Sequence, residues 1–244
     1  LAERFPAEAF AVAMEKLPPT GVSLSLESPV SAIRKPFFCS GCPHNRSTVV
    51  PEGSRALAGI GCHGLAAYNR PRTETFAQMG GEGVHWVGLS PFTEERHVFA
   101  NIGDGTYFHS GLLAIRQAVA ADVNITYKLL YNSAVAMTGG QSVDGELSVP
   151  QVAAQLRAEG VSTIIVVTDD PEARRADQNL RSLVDRIEHR DDLEAVQLEL
   201  RETRGASVII YEQMCATERR RQRKRGKLPE PNTRVFINEL ICEG

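Results

Sequence analysis

Residues 39–44 read Cys-Ser-Gly-Cys-Pro-His, and residues 103–105 read Gly-Asp-Gly. Two thiols separated by two residues can grip one metal centre or one edge of an iron–sulfur cluster. A carboxylate between two glycines can hold a metal-bound diphosphate. Its oxygens suit a hard cation, and the missing Cβ atoms let backbone approach the phosphate closely. A chain carrying both features points to redox chemistry on an organic cofactor.

The surrounding pattern predicts the elements that must position these residues. Residues 7–17 read as an amphipathic helix closed by Pro18-Pro19, and 22–26 as a strand. Residues 34–54 hold the cysteine pair among turn formers, and 56–61 run apolar into Gly61-Cys62. A strand over His97–Ile102 ends in Gly103-Asp104-Gly105, and a helix follows with Leu112, Ile115 and Val119 on one face. Ile125–Tyr131 is a strand ending at Asn132, 149–159 a helix, and Ser162–Thr168 a β-branched strand. Residues 172–204 read as charged and helical with one or two breaks, and Ala206–Tyr211 as a strand reaching Cys215. Strands that alternate with helices, and are themselves nearly continuous apolar runs, imply an α/β fold. Its sheet is mostly parallel, with helices on both faces.

Ligands of such sheets sit beyond the carboxyl ends of the strands. Asp104 and Asn132 close two successive strands. If these are neighbours, their ends stand ~4.8 Å apart, and both oxygens can share one Mg²⁺ at ~2.1 Å. Thr106 and the first helical turn offer free N–H groups to the anion. Gly-Asp-Gly is also an ordinary strand-to-helix turn. Cys39 and Cys42 lack the second close pair of a compact zinc site. Cys62 and Cys215 each follow an apolar run, as Asp104 does, so three cysteine positions can meet at one sheet edge, where four thiolates would suit a [4Fe–4S] cluster. Read by spacing alone, Cys62 and Cys215 are equally small buried hydrophobes.

The run Ile102-Gly-Asp-Gly-Thr-Tyr-Phe-His-Ser-Gly111, through Asn132 to Met137-Thr-Gly-Gly-Gln141, resembles the thiamine-diphosphate motif of the 2-oxoacid:ferredoxin oxidoreductases, above all their indolepyruvate branch. The flanking Thr75-Phe-Ala-Gln-Met-Gly-Gly-Glu-Gly-Val-His-Trp-Val-Gly88 is similar to its fused, long-chain bacterial form. The resemblance covers essentially the whole chain. It implies a thiamine-diphosphate-binding fold in which Asp104, Asn132 and the Ala134 carbonyl ligate Mg²⁺. Gly61, Gly80, Gly81, Gly103, Gly105 and Thr106 then lie at the cofactor. It also implies that Cys39, Cys42, Cys62 and Cys215 hold a [4Fe–4S] cluster. The implied reaction is oxidative decarboxylation of an arylpyruvate, indolepyruvate first, with coenzyme A, giving aryl-acetyl-CoA, CO₂ and reduced ferredoxin. A non-redox thiamine-dependent decarboxylase and a Cys–zinc interaction module are the alternatives.

Of the other polar residues, His63 would lie near the cofactor, as a proton carrier and substrate-orienting group or as a satisfied polar neighbour. His109 is expected to make a structural hydrogen bond and His44 to cap the cysteine loop. Glu82 is expected in a loop or at an interface. The glutamate that activates thiamine is implied to come from a separate pyrimidine-binding domain, on the same polypeptide or another chain. The basic run Glu218–Arg225 reads as a solvated helix or interdomain contact.

Composition limits the remaining classes. A net charge of −3 over 244 residues argues against nucleic-acid and membrane-surface partners. No apolar run approaches the ~20 residues of a membrane span, and no signal peptide is visible. Five cysteines, an odd count, point to a reducing, cytoplasmic setting. The expected organisation is one thiamine-diphosphate-binding domain over 1–240, with the cluster loop at 34–65. Residues 241–244, with Cys242, read as the start of a truncated ferredoxin-like segment. The chain is expected to be an excised piece of a homo-oligomeric enzyme, inactive alone.

Overall fold

The computed structural model describes residues 35–141, 145, 147–233, 235–238 and 240–241. The helix expected over 7–17, the strand expected over 22–26, and Cys242 lie outside them.

Seven strands form one sheet in the order β2-β1-β3-β4-β7-β5-β6. They are β1 Ala56–Ala58, β2 Thr73–Phe76, β3 Val98–Gly103, β4 Ile125–Tyr131, β5 Thr163–Thr168, β6 Arg186–His189 and β7 Ala206–Glu212. Every pairing is parallel. All seven residues of β4 are buried, as a central strand covered on both faces requires. On one face Ile102, Tyr127, Leu129, Ile164, Val166 and Ile210 pack against α1 (Val84–Leu89), α2 (Leu112–Ala120) and α3 (Val149–Ala158). On the other, Leu130, Ile165, Val167, Ile209 and Tyr211 meet Leu193, Val196 and Leu200 of α4 (Leu193–Arg201). Each fully buried Leu or Ile contributes roughly 1.5–3 kcal/mol, so the two-layer core supplies the bulk of the driving force.

The sheet edges depart from the expected pattern. The charged stretch 172–204 is not wholly helical, because β6 lies within it. Only Ile187 of Arg186-Ile-Glu-His189 is buried. The rest is solvated and held by ion pairs such as Arg186–Glu199, so an edge strand carried the charge pattern of a surface helix. β2, at the opposite edge, likewise buries only Thr73 and gave no apolar run to read.

Strand order sets where a ligand fits. The connection after β1 runs outward to β2, whereas the connection after β3 runs the other way to β4. The crevice between the carboxyl ends of β1 and β3 is therefore a topological switch point, flanked by the Gly61–Leu65 turn on one side and Asp104 on the other. β7 returns beside β4, which brings Cys215 to the same rim.

Candidate functional site

The cradle is built around Asp104. Its Oδ1 accepts the Gly105 N–H at 2.9 Å, and its Oδ2 accepts the N–H groups of Asn132 at 2.9 Å and Ser133 at 2.8 Å. The turn after β4 is tight. Ser133 adopts a left-handed φ of 56°, and the Ala134 N–H donates to Asn132 Oδ1 at 3.0 Å. Backbone strain of this kind persists where the surrounding structure over-determines it, as at ligand-binding turns. Burial pushes the half-buried Asp104 carboxyl above the usual aspartate range, while the Asn132, Ser133 and Gly105 donors pull it back. Behind Asp104 the chain enters a π-helical turn over Tyr107–Gly111 before α2. There His109 Nδ1 and Ser110 Oγ form a hydrogen bond of 2.6 Å.

One cleft is lined by Gly61, Cys62, His63, Gly103, Asp104, Gly105, Thr106, Asn132 and Ala134. From the loop before α1, Met79 lines it too. Gly80 and Gly81, expected at the cofactor, lie in that loop where packing leaves no room for a side chain: a Cβ on Gly80 would run into Ser110 of the Tyr107–Gly111 turn, and one on Gly81 would meet Gln78 at 2.7 Å.

His63 lies at the floor. Its ring stands 3.6 Å from where a Cβ on Gly103 would sit, and 2.7 Å from that position on Gly61. Burial, with His44 adding, pushes its imidazole down to about 3, so it is neutral at physiological pH. Its buried Nε2 has no hydrogen-bond partner among the protein atoms. His44 does more than cap the cysteine loop, where its backbone N–H bonds the Cys42 thiol. It is buried, shares a hydrogen bond of 3.2 Å between its Nδ1 and Ser47 Oγ, and packs edge-on against the His63 ring with centroids 6.0 Å apart. Two histidines far apart in sequence thus meet, which no spacing rule could show.

A second cleft is lined by Cys39, Cys42, Cys62 and Cys215 together. It shares His44, Cys62, Asn132 and Ala136 with the first. The Cys215 N–H donates to the Asn132 carbonyl at 3.4 Å, so one residue joins the Asp104 cradle to the thiol cleft. Burial, reinforced by repulsion among the thiolates, pushes Cys42 up to about 11 and raises Cys62. These two thiols therefore hold their protons more tightly than an ordinary cysteine. Among the described residues no group of three or more His, Cys, Asp or Glu side chains stands close enough to hold one metal ion. A four-iron cluster gives each thiolate its own iron, so its ligands ring a cleft instead of converging on a point, and this donor set fits it.

The basic run forms α5 (Ala216–Lys224), directly after Cys215. It is not only a solvated face. Arg220 donates to the Ser40 carbonyl at 3.0 Å, and Arg221 to the Gly139 carbonyl at 2.8 Å. These arginines fasten the lips of the thiol cleft. Arg221→Ala is expected to speed amide exchange over Thr138–Gln141 while leaving β4 unchanged, as mass spectrometry of exchanged peptides would show.

Glu82 stands in the loop before α1, as expected, but it is 1% exposed and faces the interior. Its Oε2 accepts the Gly80 N–H at 2.7 Å, and its Oε1 is buried without a partner. Gly59 leaves it room: a Cβ there would stand 2.9 Å from Oε1. Burial raises this carboxyl above the usual glutamate range, while the backbone N–H groups of Glu82, Gly80 and Ile60 pull it back. An acid whose pKa rises on folding lends stability below its unfolded pKa and loses it as pH rises through the folded value. Glu82→Gln, whose amide can donate where Oε1 cannot, is expected to remove that loss. Thermal melts across pH should show wild type falling below the variant above the usual glutamate range.

A family model described as thiamine pyrophosphate enzyme, C-terminal TPP binding domain, matches residues 59–210. The chain is similar to indolepyruvate oxidoreductase subunit IorA of Thermococcus kodakarensis, with 29% identity over 230 residues, covering 86% of this chain and 34% of that protein. The same subunit of Pyrococcus abyssi is 30% identical over 233 residues, covering 86% of this chain and 34% of that protein. The chain thus spans about a third of the length of these curated relatives. Among solved structures, a 2-oxoglutarate:ferredoxin oxidoreductase from Magnetococcus marinus, with 2-oxoglutarate, coenzyme A and succinyl-CoA bound, aligns with a TM-score of 0.56 and 17% identity, over 76% of this chain and 66% of that one. That likeness shows a shared fold.

Proposed function

Since the chain belongs to the thiamine pyrophosphate enzymes through their C-terminal TPP-binding domain, we propose that it is the cofactor-binding portion of a 2-oxoacid:ferredoxin oxidoreductase acting on arylpyruvates, indolepyruvate first. In this reading a 2-oxoacid and coenzyme A yield an acyl-CoA, CO₂, a proton and two electrons. A [4Fe–4S] cluster held by the four thiols would supply one-electron transfer toward ferredoxin in a reducing cytoplasm. The remaining chain or a partner chain supplies the pyrimidine-binding domain and its activating glutamate, in a homo-oligomer. The supporting observation is the wall shared by the two clefts: Asn132 bonds Asp104 through its N–H and Cys215 through its carbonyl. A decarboxylase with no electron carrier would have no use for four thiols at that wall.

Bound thiamine diphosphate supplies a carbanion and an electron sink for decarboxylation. The residues here do the binding. Asp104, Asn132 and the Ala134 carbonyl would hold Mg²⁺, and the Gly103–Thr106 turn would receive the diphosphate on its backbone N–H groups. His63, neutral and buried, offers Nε2 to a polar group of the bound cofactor or substrate. Cys39, Cys42, Cys62 and Cys215 supply thiolates to the cluster. Anaerobic purification of the full-length enzyme, followed by iron, acid-labile sulfide and thiamine quantification, tests the reading. Thiamine without iron would replace it with a non-redox decarboxylase; zinc without thiamine would replace it with an interaction module.

A further inference from the structure

The middle of β4 carries a lysine where the neighbouring strands carry Asn101 and Ile209. Lys128 is 1% exposed, buried within the sheet layer. A buried ammonium must find acceptors for all three of its protons. Its Nζ donates to the Ser47 carbonyl at 2.7 Å, the Val49 carbonyl at 3.2 Å and Gln197 Oε1 at 3.1 Å, and it stands 5.6 Å from the centre of the Phe99 ring. Three donors thus meet three acceptors, two of them main-chain carbonyls of one segment that precedes β1.

That segment leads directly to the cysteine pair. Cys42 N–H donates to Cys39 O, Asn45 N–H to Cys42 O, Ser47 N–H to Pro43 O, Thr48 N–H to His44 O and Val49 N–H to Arg46 O, all at 3.0–3.4 Å. The run from Cys39 to Val49 is therefore one hydrogen-bonded unit, and fixing the carbonyls at its far end fixes its cysteines. Lys128 also lies on the strand that ends at Asn132, the residue bonded to both Asp104 and Cys215.

We propose that Lys128 is a positioning residue: its buried ammonium fastens the Cys39–Val49 unit to β4 and so sets the place of Cys39 and Cys42 relative to Cys62, Cys215 and Asp104. A Leu or Met here would satisfy burial equally well, but it would leave the carbonyls of Ser47 and Val49 without a donor. Cys62 and Cys215 come from the sheet's own strand ends and need no such fastening. The consequence for catalysis rests on the reading of the four thiols as cluster ligands; the positioning itself does not.

Per-residue alkylation of the metal-free full-length enzyme by iodoacetamide, read by mass spectrometry, tests the positioning without a cluster. In Lys128→Met, alkylation of the half-buried Cys42 is expected to rise about fivefold or more, with the already exposed Cys39, and with Cys62 and Cys215, within about twofold of wild type and thiamine diphosphate affinity unchanged. In Gln197→Leu, which leaves both carbonyl bonds intact, all four rates should stay at wild type. An equal rise at all four thiols in Lys128→Met, or none, overturns the proposal. Should Lys128→Met fail to fold, native-state amide exchange of the wild type decides. Ser47–Val49 exchanging as slowly as β4 supports the fastening, and exchange at the rate of surface turns refutes it. A wild type that never carries iron would sink the cluster reading while leaving these outcomes intact.

Discussion

Asp104→Asn is expected to weaken thiamine diphosphate binding in the presence of Mg²⁺ by at least ~100-fold, measured by calorimetry on the full-length enzyme. The substitution removes the charge that a hard cation needs and turns one of two acceptor oxygens into a donor. In the wild type both oxygens are already engaged, with Gly105 on Oδ1 and with Asn132 and Ser133 on Oδ2. An amide nitrogen at either position would face an N–H head-on. The turn that presents Asn132 and the Ala134 carbonyl would therefore shift along with the loss of charge, at a cost of about 1–3 kcal/mol for the buried donors left unpaired. Affinity in the wild type should also fall as pH drops through the range in which Asp104 takes a proton. Burial places that range above the usual one for aspartate. An Asp104→Asn enzyme with wild-type affinity would remove the residue from the cation site and the diphosphate reading with it.

Cys215→Ser is expected to abolish electron transfer, by about 100-fold or more in 2-oxoacid-dependent reduction of ferredoxin. Absorbance near about 400 nm should drop by more than about half, because a serine hydroxyl is not ionised near neutrality and leaves one iron without its ligand. Thiamine diphosphate affinity should stay within about twofold. Cys215 enters the cradle only through its backbone N–H, which a serine keeps. That separation of effects is the diagnostic result. Iron, sulfide and the spectroscopic signal of the reduced cluster would all fall together while the organic cofactor stays bound. Retention of the full iron content in Cys215→Ser would exclude this thiol from the cluster.

The two predictions draw on residues of different legibility. The place of Asp104 could be read from the chain because it depends on a local arrangement, a strand followed at once by a helix start. The apolar runs of β3, β4, β5 and β7 were equally plain, since strands buried on both faces leave little room for polar side chains. The edge strands β2 and β6 were not, because an edge is half solvated and its side chains follow the surface and not the core. The burial of Glu82, His44 and Lys128 was not legible, for a shared reason. A polar side chain becomes buried only when distant segments close around it, and nothing in Tyr127-Lys-Leu129 announces three acceptors waiting on another layer.

By itself, the amino-acid order determined the kinds of atoms available: hard oxygen donors after one strand, four separated thiols, and apolar runs long enough for a parallel sheet. These follow from side-chain chemistry and near-neighbour geometry. Tertiary structure decided which of those atoms share a wall. β7 had to return between β4 and β5 for Cys215 to reach Asn132, and the turn after β1 had to fold back over Gly103 for His63 to lie beneath the cradle. The reason is physical: strand order and burial are set by the free energy of the whole packed layer, which no local stretch of chain contains.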